Sequence, residues 1–195
     1  MKTFRSAVVL TLFFVVVTGI LFPLTITAIA QSTMPVKANG SLVTRDGKVV
    51  GSHLIGQNFA GAKYFHPRPS NAGAGYDANN SSGTNLGPTN PKLLEGAEGF
   101  DGVKQLAEKY RIVNGLEADV EVPADAVTRS ASGLDPHISV RNAELQADRV
   151  AKARGVSIEL VKQAIRECTE PAFVGVFGDT GVNVLLLNLA LDKQK

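Results

Sequence analysis

Ser130, Ser132, Asp135 and His137 stand within eight consecutive residues. A hydroxyl, an imidazole and a carboxylate are the parts of a nucleophilic hydrolase, in which the base takes the hydroxyl proton and the acid orients the base. That chemistry also needs a strained, exposed elbow or a matching oxyanion hole, and neither is legible around these serines. Asp135-Pro136 reads more simply as a turn leading to the N-terminus of the following helix. A hydrolase using Ser132, Asp135 and His137 is therefore the less favoured expectation.

Metal and phosphate chemistry have weaker footing. The three histidines, His53, His66 and His137, lack the spacing of a metal site. Glu117, Asp119, Glu121 and Asp125 form a small acidic cluster broken by Pro123. No EF-hand spacing or central glycine supports calcium there, so solvated carboxylates are expected. The stretch from Thr84 to Asn90 lacks the Gly-Lys-Ser ending of a phosphate-binding loop. Asn79, Asn80, Ser81, Ser82 and Asn85 offer uncharged hydrogen-bonding groups, which a loop also uses to pack its own backbone through Asx turns. No metal or tightly bound cofactor is implied.

The elements that must position these residues begin with a membrane span. From Ser6 to Val36 there is no charged residue, and Lys2 and Arg5 stand just before the gap. The apolar part, residues 7–30, exceeds the roughly 20 residues needed to cross a bilayer. Residues 1–6 are then expected in the cytoplasm, by the preference of cations for that side, and residues 31–195 outside. A cleaved signal peptide is the alternative, favoured by Ala28-Ile29-Ala30 but opposed by an apolar core longer than the roughly 7–15 residues signals use. Pro23 should kink the span. Thr11, Thr18 and Thr25 recur every seven residues, with Gly19 beside Thr18, a spacing that lets another membrane helix approach closely or arises by chance.

Charge says little about partners. Lys and Arg number 20 against 18 Asp and Glu, and setting Lys2 and Arg5 aside leaves 18 against 18. No basic stripe interleaved with aromatics supports nucleic-acid binding. Cys168 is the single cysteine, which rules out an intrachain disulfide, and its place on an apolar helical stripe predicts a buried, inert thiol.

One mixed α/β domain is expected beyond the anchor. Arg45-Asp46-Gly47-Lys48 between apolar runs predicts a hairpin. Residues 66–91 form a Gly/Pro/Asn/Ser-rich loop whose Tyr76, with Tyr64 and Phe65 just before it, argues for order. Helices are predicted over residues 102–110, over 140–154 with Gly155 as the stop, and from a Ser157 cap to just before Pro171. Residues 117–122 should be an exposed strand or connector. The nearly all-apolar Val182–Leu191 reads as a buried strand, with a helix possible from its leucine content.

Several long blocks then look familiar in combination. They include Gly51-Ser52-His53-Leu54-Ile55-Gly56-Gln57-Asn58-Phe59, then Tyr64-Phe65-His66-Pro67-Arg68-Pro69-Ser70 and Ser82-Gly83-Thr84-Asn85-Leu86-Gly87-Pro88-Thr89-Asn90. Ser130-Ala131-Ser132-Gly133-Leu134-Asp135-Pro136-His137-Ile138-Ser139 and Arg149-Val150-Ala151-Lys152-Ala153-Arg154-Gly155 follow. In this order behind one anchor, the chain resembles the C subunit of the Kdp-type potassium-transporting ATPase over essentially its whole length. Asn71, where alanine is common, and Ser82, at a usual glycine, are small departures.

The resemblance implies a non-catalytic accessory subunit of an ATP-driven, high-affinity potassium uptake complex in the bacterial inner membrane. Its partners would be a channel-like subunit, a P-type ATPase subunit and the lipid bilayer. It is implied to be needed for assembly and to act as a catalytic chaperone that raises the pump's affinity for ATP; ATP enters by the resemblance alone. Candidate partner-docking residues on this reading are Thr11, Thr18, Thr25, Ser82, Asn85, Asn90, Asp135 and His137. The competing expectation is an anchored extracytoplasmic binding module for a cell-wall or solute ligand. Such sites usually display exposed aromatics, and this chain has no Trp and three Tyr.

Overall fold

The fold was analysed in a computed structural model that describes residues 2–194. The chain divides into two compact units, one reaching from the N-terminus to Ser52 and the other running from His53 onward.

The first unit opens with one helix, Lys2–Thr33, of 32 residues. At 1.5 Å per residue it is about 48 Å long, more than the roughly 30 Å hydrocarbon core of a bilayer. It comprises α1 (Lys2–Val16), a π turn (Val17–Leu21) and α2 (Phe22–Thr33), and none of these contains a buried residue. The π turn explains how Pro23 is accommodated. A proline ring clashes with the carbonyl four residues earlier, here Gly19, and the wider turn opens the backbone at that place. A short helix α3 (Pro35–Ala38) follows, then the predicted hairpin of β1 (Leu42–Arg45) and β2 (Lys48–Ser52). Its turn places Asp46 and Gly47 at φ 50° and 73°, the left-handed values a type I′ turn requires.

The second unit has irregular chain from His53 to Asn90, broken by one 3₁₀ turn at Ala78–Asn80. Then come α4 (Pro91–Glu95), α5 (Val103–Asn114), α6 (Ala124–Val127), β3 (His137–Ile138), α7 (Val140–Arg154), α8 (Ile158–Glu167), β4 (Thr169–Glu170), β5 (Gly181–Asn183) and α9 (Val184–Asp192). The strands form a small antiparallel sheet in the order β3-β5-β4, with Ile138 opposite Val182 and Glu170 opposite Gly181. The core joins Ala143, Ala147 and Val150 of α7 to Val161 and Ile165 of α8 and Leu187 of α9.

Local chemistry accounts for the helix ends. The Ser139 and Ser157 hydroxyls accept from Asn142 N at 3.1 Å and Leu160 N at 3.2 Å, capping α7 and α8. Gly115 and Gly155 end α5 and α7 in the left-handed conformation. Helix α5 runs four residues beyond the expected Tyr110, and residues 117–122 are a connector, not a strand.

The principal correction concerns the C-terminus. Only Gly181–Asn183 is strand, and Val184–Asp192 is helix. The Asn183 carboxamide accepts from Leu186 N at 3.2 Å and so caps it, while Val184, Leu187, Asn188 and Leu191 share the buried face at helical spacing.

Candidate functional site

A cleft of about 400 Å³ opens beside the small sheet, and Asp135 and His137 both line it. Asp135 ends the turn that leads into β3. One of its oxygens accepts the His137 backbone N–H at 2.9 Å, and the other accepts from Arg68 Nη1 at 2.8 Å. The second Arg68 nitrogen reaches the carbonyl and hydroxyl of Thr128, at 3.4 and 3.3 Å. Arg68 thereby ties the long loop to the turn before the sheet.

His137 lies on β3, and its Nε2 is 3.1 Å from Glu170 on β4, with β5 between the two strands. The gap is bridged because residue 181 of β5 is glycine. A Cβ there would stand 3.2 Å from His137 Cβ and 3.5 Å from its Cγ, in the path of the ring. His137 Nδ1 is 3.8 Å from Asp135. Carboxylates therefore face both ring nitrogens.

That arrangement does not assemble a hydrolase. The Ser132 hydroxyl accepts from Leu134 N at 3.1 Å, and the Ser130 hydroxyl accepts from Asp135 N at 3.4 Å, each closing the local turn. Neither serine lines the cleft.

Asp125, grouped with the acidic cluster in the sequence, has a separate place. Its carboxylate accepts from Ser139 N at 2.8 Å, Ser139 Oγ at 2.9 Å and Asn142 Nδ2 at 2.8 Å, and so supports the N-terminus of α7. Among the described residues no group of three or more acidic, histidine or cysteine side chains could hold a metal ion.

The far wall of the cleft is the β4–β5 connection, residues 171–180, for which the sequence raises no expectation. Phe173 N donates to Phe177 O at 2.8 Å, pinching the connection into a tight turn. Val174 at its apex has φ 54°, an uncommon conformation for a β-branched residue. Phe173, Val174, Val176 and Phe177 are all exposed. The apolar pairs Phe173-Val174 and Val176-Phe177 around Gly175 are the signal the sequence offers for it.

The remaining candidate residues fall elsewhere. Ser82 N donates to Ser132 O at 3.0 Å, and Ser81 Oγ to the same carbonyl at 2.9 Å. Asn85 is exposed at φ 53°. The Asn90 carboxamide accepts from Lys92 N at 3.0 Å and caps α4. The loop is ordered, in keeping with its aromatics: Tyr76 OH donates to Arg68 O at 2.5 Å, and burial pushes that phenol up to about 12. In the long helix, Thr18 and Thr25 donate to the carbonyls of Phe14 and Leu21, both at 2.7 Å. Their hydroxyls are spent on their own helix, and Thr18 lies in the π turn, where the regular α-helical spacing is interrupted.

The charged lining of the cleft is mainly acidic. It presents Asp125, Asp135, Glu170 and Asp179 against one guanidinium, with aromatic side chains at its rim. The serine in its lining, Ser139, is engaged with Asp125.

Comparison with known proteins agrees in extent with the whole chain. The family model described as "KdpC: K+-transporting ATPase, c chain" matches residues 4–193. A Potassium-transporting ATPase KdpC subunit of Mycobacterium bovis is 54% identical over 187 residues, covering 96% of each chain. The subunit of that name from Rhodospirillum rubrum is 48% identical over 198 residues, covering 100% of this chain and 97% of its own. The one from Myxococcus xanthus is 51% identical over 194 residues, covering 99% and 89%.

Proposed function

The chain belongs to the KdpC family, the c chains of K+-transporting ATPases, and from that premise we propose that it is a non-catalytic accessory subunit held in the membrane by its N-terminal helix. Its partners are then the channel-like and ATP-hydrolysing subunits of the same complex. The second unit works outside the cytoplasm, where the cations at Lys2 and Arg5 direct it.

The observation that carries this reading is the helix Lys2–Thr33, which is long and apolar enough to span a bilayer and has no residue buried by the rest of the described chain. Its surface is thus available to lipid and to neighbouring helices. Gly19 and the threonines supply small side chains for close packing, although the hydroxyls of Thr18 and Thr25 are already satisfied.

A raised ATP affinity, the effect implied by family resemblance, acts on this reading through the partner's conformation. The cleft supports that route over direct contact with nucleotide. It sets four carboxylates against Arg68, and Arg68 is already engaged by Asp135 and Thr128. A triphosphate would meet like charge there. A ligand-binding module unrelated to transport is not favoured by the family membership.

The test is recovery of the complex in mild detergent. The wild-type chain is expected to co-purify with its polytopic partners. A chain whose residues 7–30 are replaced by an unrelated single-pass helix is expected to lose most of that association. Equal recovery of both would remove the helix as the main contact.

A further inference from the structure

The β4–β5 connection carries the most anomalous surface of the second unit. Phe173, Val174, Val176 and Phe177 keep 74%, 74%, 77% and 67% of their surface exposed within five consecutive residues. Large apolar side chains concentrated in this way mark an interaction site more often than scattered ones do. The patch is also continuous with the acid-lined cleft, because Phe173 and Phe177 line both.

Charge decides what fits. Of the four carboxylates in the cleft, Asp125 is consumed in capping α7 and Asp135 in holding Arg68 and the His137 amide. Glu170 is half-exposed beside His137. Asp179 is exposed and has no hydrogen-bond or ion-pair partner among the described residues. Unspent negative charge therefore lies next to two exposed aromatic rings. A cation flanked by apolar groups satisfies both, since the ring faces attract a guanidinium or ammonium and the carboxylates neutralise it.

We infer that this tip and cleft dock an extracytoplasmic segment of a partner subunit that presents an arginine or lysine among apolar residues. The inference rests on the reading of the chain as a subunit of the complex. A lipid surface fits less well, because membrane surfaces carry negative charge and attract basic flanks, whereas Glu170 and Asp179 flank this tip. A second copy fits less well too. A two-fold contact would set the same acidic pair against itself, and the tip is small beside the roughly 800 Å² per partner that a stable interface buries.

The experiment measures the dissociation constant between the full-length subunit and a complex purified without it, in mild detergent, over a range of salt. Asp179→Lys and Phe177→Ser are compared with wild type, and their unchanged thermal unfolding confirms that these exposed sites leave the fold intact. Each variant is expected to weaken binding by about tenfold or more. Wild-type binding is expected to weaken with salt, and Asp179→Lys binding to do so less steeply. Binding of both variants within about twofold of wild type overturns the inference and leaves the subunit assignment standing. Weaker binding by Phe177→Ser to a complex held in lipid nanodiscs, at unchanged affinity for the complex in detergent, overturns it in favour of the bilayer. Failure of the wild-type chain itself to bind removes both readings.

Discussion

Asn188 of α9 holds both backbone polar groups of Phe65. Its Oδ1 accepts the Phe65 amide at 2.8 Å, and its Nδ2 donates to the Phe65 carbonyl at 3.0 Å. Gln146 of α7 treats the next residue in the same way, accepting from His66 N at 2.7 Å and donating to His66 O at 3.1 Å. Two side-chain amides thus supply what a neighbouring strand would. They let irregular chain enter the core, where Phe65 is fully buried.

Asn188→Leu keeps a similar volume but leaves the amide and carbonyl of Phe65 unpaired in the interior. At roughly 1–3 kcal/mol for each of the two abandoned groups, the second unit should lose about 2–6 kcal/mol. Thermal unfolding followed by near-ultraviolet circular dichroism checks this. A midpoint within a degree or so of wild type would show that the clamp contributes nothing.

Two glycines should respond differently to the same methyl group. Gly56 donates to Leu134 O at 2.7 Å, and a Cβ at residue 56 would stand 2.6 Å from the Asp135 carbonyl oxygen. Gly155 has φ 68° with nothing within 4 Å of its Cβ position. Gly155→Ala should cost about 1–2 kcal/mol from backbone conformation alone. Gly56→Ala must push its own backbone away from that of Asp135 and should cost about 3 kcal/mol or more. Denaturation of the two variants side by side tests the order.

The His66 ring gives a pH dependence with a definite sign. Burial, helped by the Arg149 charge, lowers its pKa below 6.5, against the opposing hydrogen bond to Gly61 O. Well above pH 6.5 the ring is neutral folded or unfolded. Below that value the unfolded chain binds the proton first, so this contribution to stability falls as pH drops through the folded pKa. His66→Gln should flatten that portion of the profile between pH 7.5 and 5.5, measured as the unfolding midpoint. An unchanged slope would assign the effect to other groups.

Cys168, expected to be buried, is only half-buried, yet it should still be a slow nucleophile. Burial and the adjacent Glu167 and Glu170 charges raise its thiol pKa, which reduces the reactive thiolate near neutral pH. Alkylation by iodoacetamide at pH 8 is expected to be about tenfold slower than for free cysteine and to accelerate on unfolding. A rate equal to the free amino acid would contradict the raised thiol pKa.

Local signals are legible in the sequence, and distant pairings are not. Ser139, Ser157 and Gly155 mark helix ends where they stand, because capping and left-handed turns are short-range effects. The same chemistry at Asn183 is legible in principle, but the alternating leucines after it imitate a buried strand. Asp135 and His137 are neighbours in the sequence, and they do meet. Their partners Arg68 and Glu170 lie 67 positions before Asp135 and 33 after His137, at distances no local pattern encodes. The role of Gly181 is invisible until the strands are in register.

Coupling through the anchor is read out by potassium-stimulated ATP hydrolysis of the purified complex across a range of ATP concentrations. The assay compares preparations with this subunit, without it, and with residues 7–30 replaced by an unrelated membrane helix. An accessory subunit that couples through its anchor predicts lost or weakly stimulated hydrolysis without the chain and a higher KM for ATP with the replaced helix. Equal potassium stimulation and equal KM in all three preparations would contradict it.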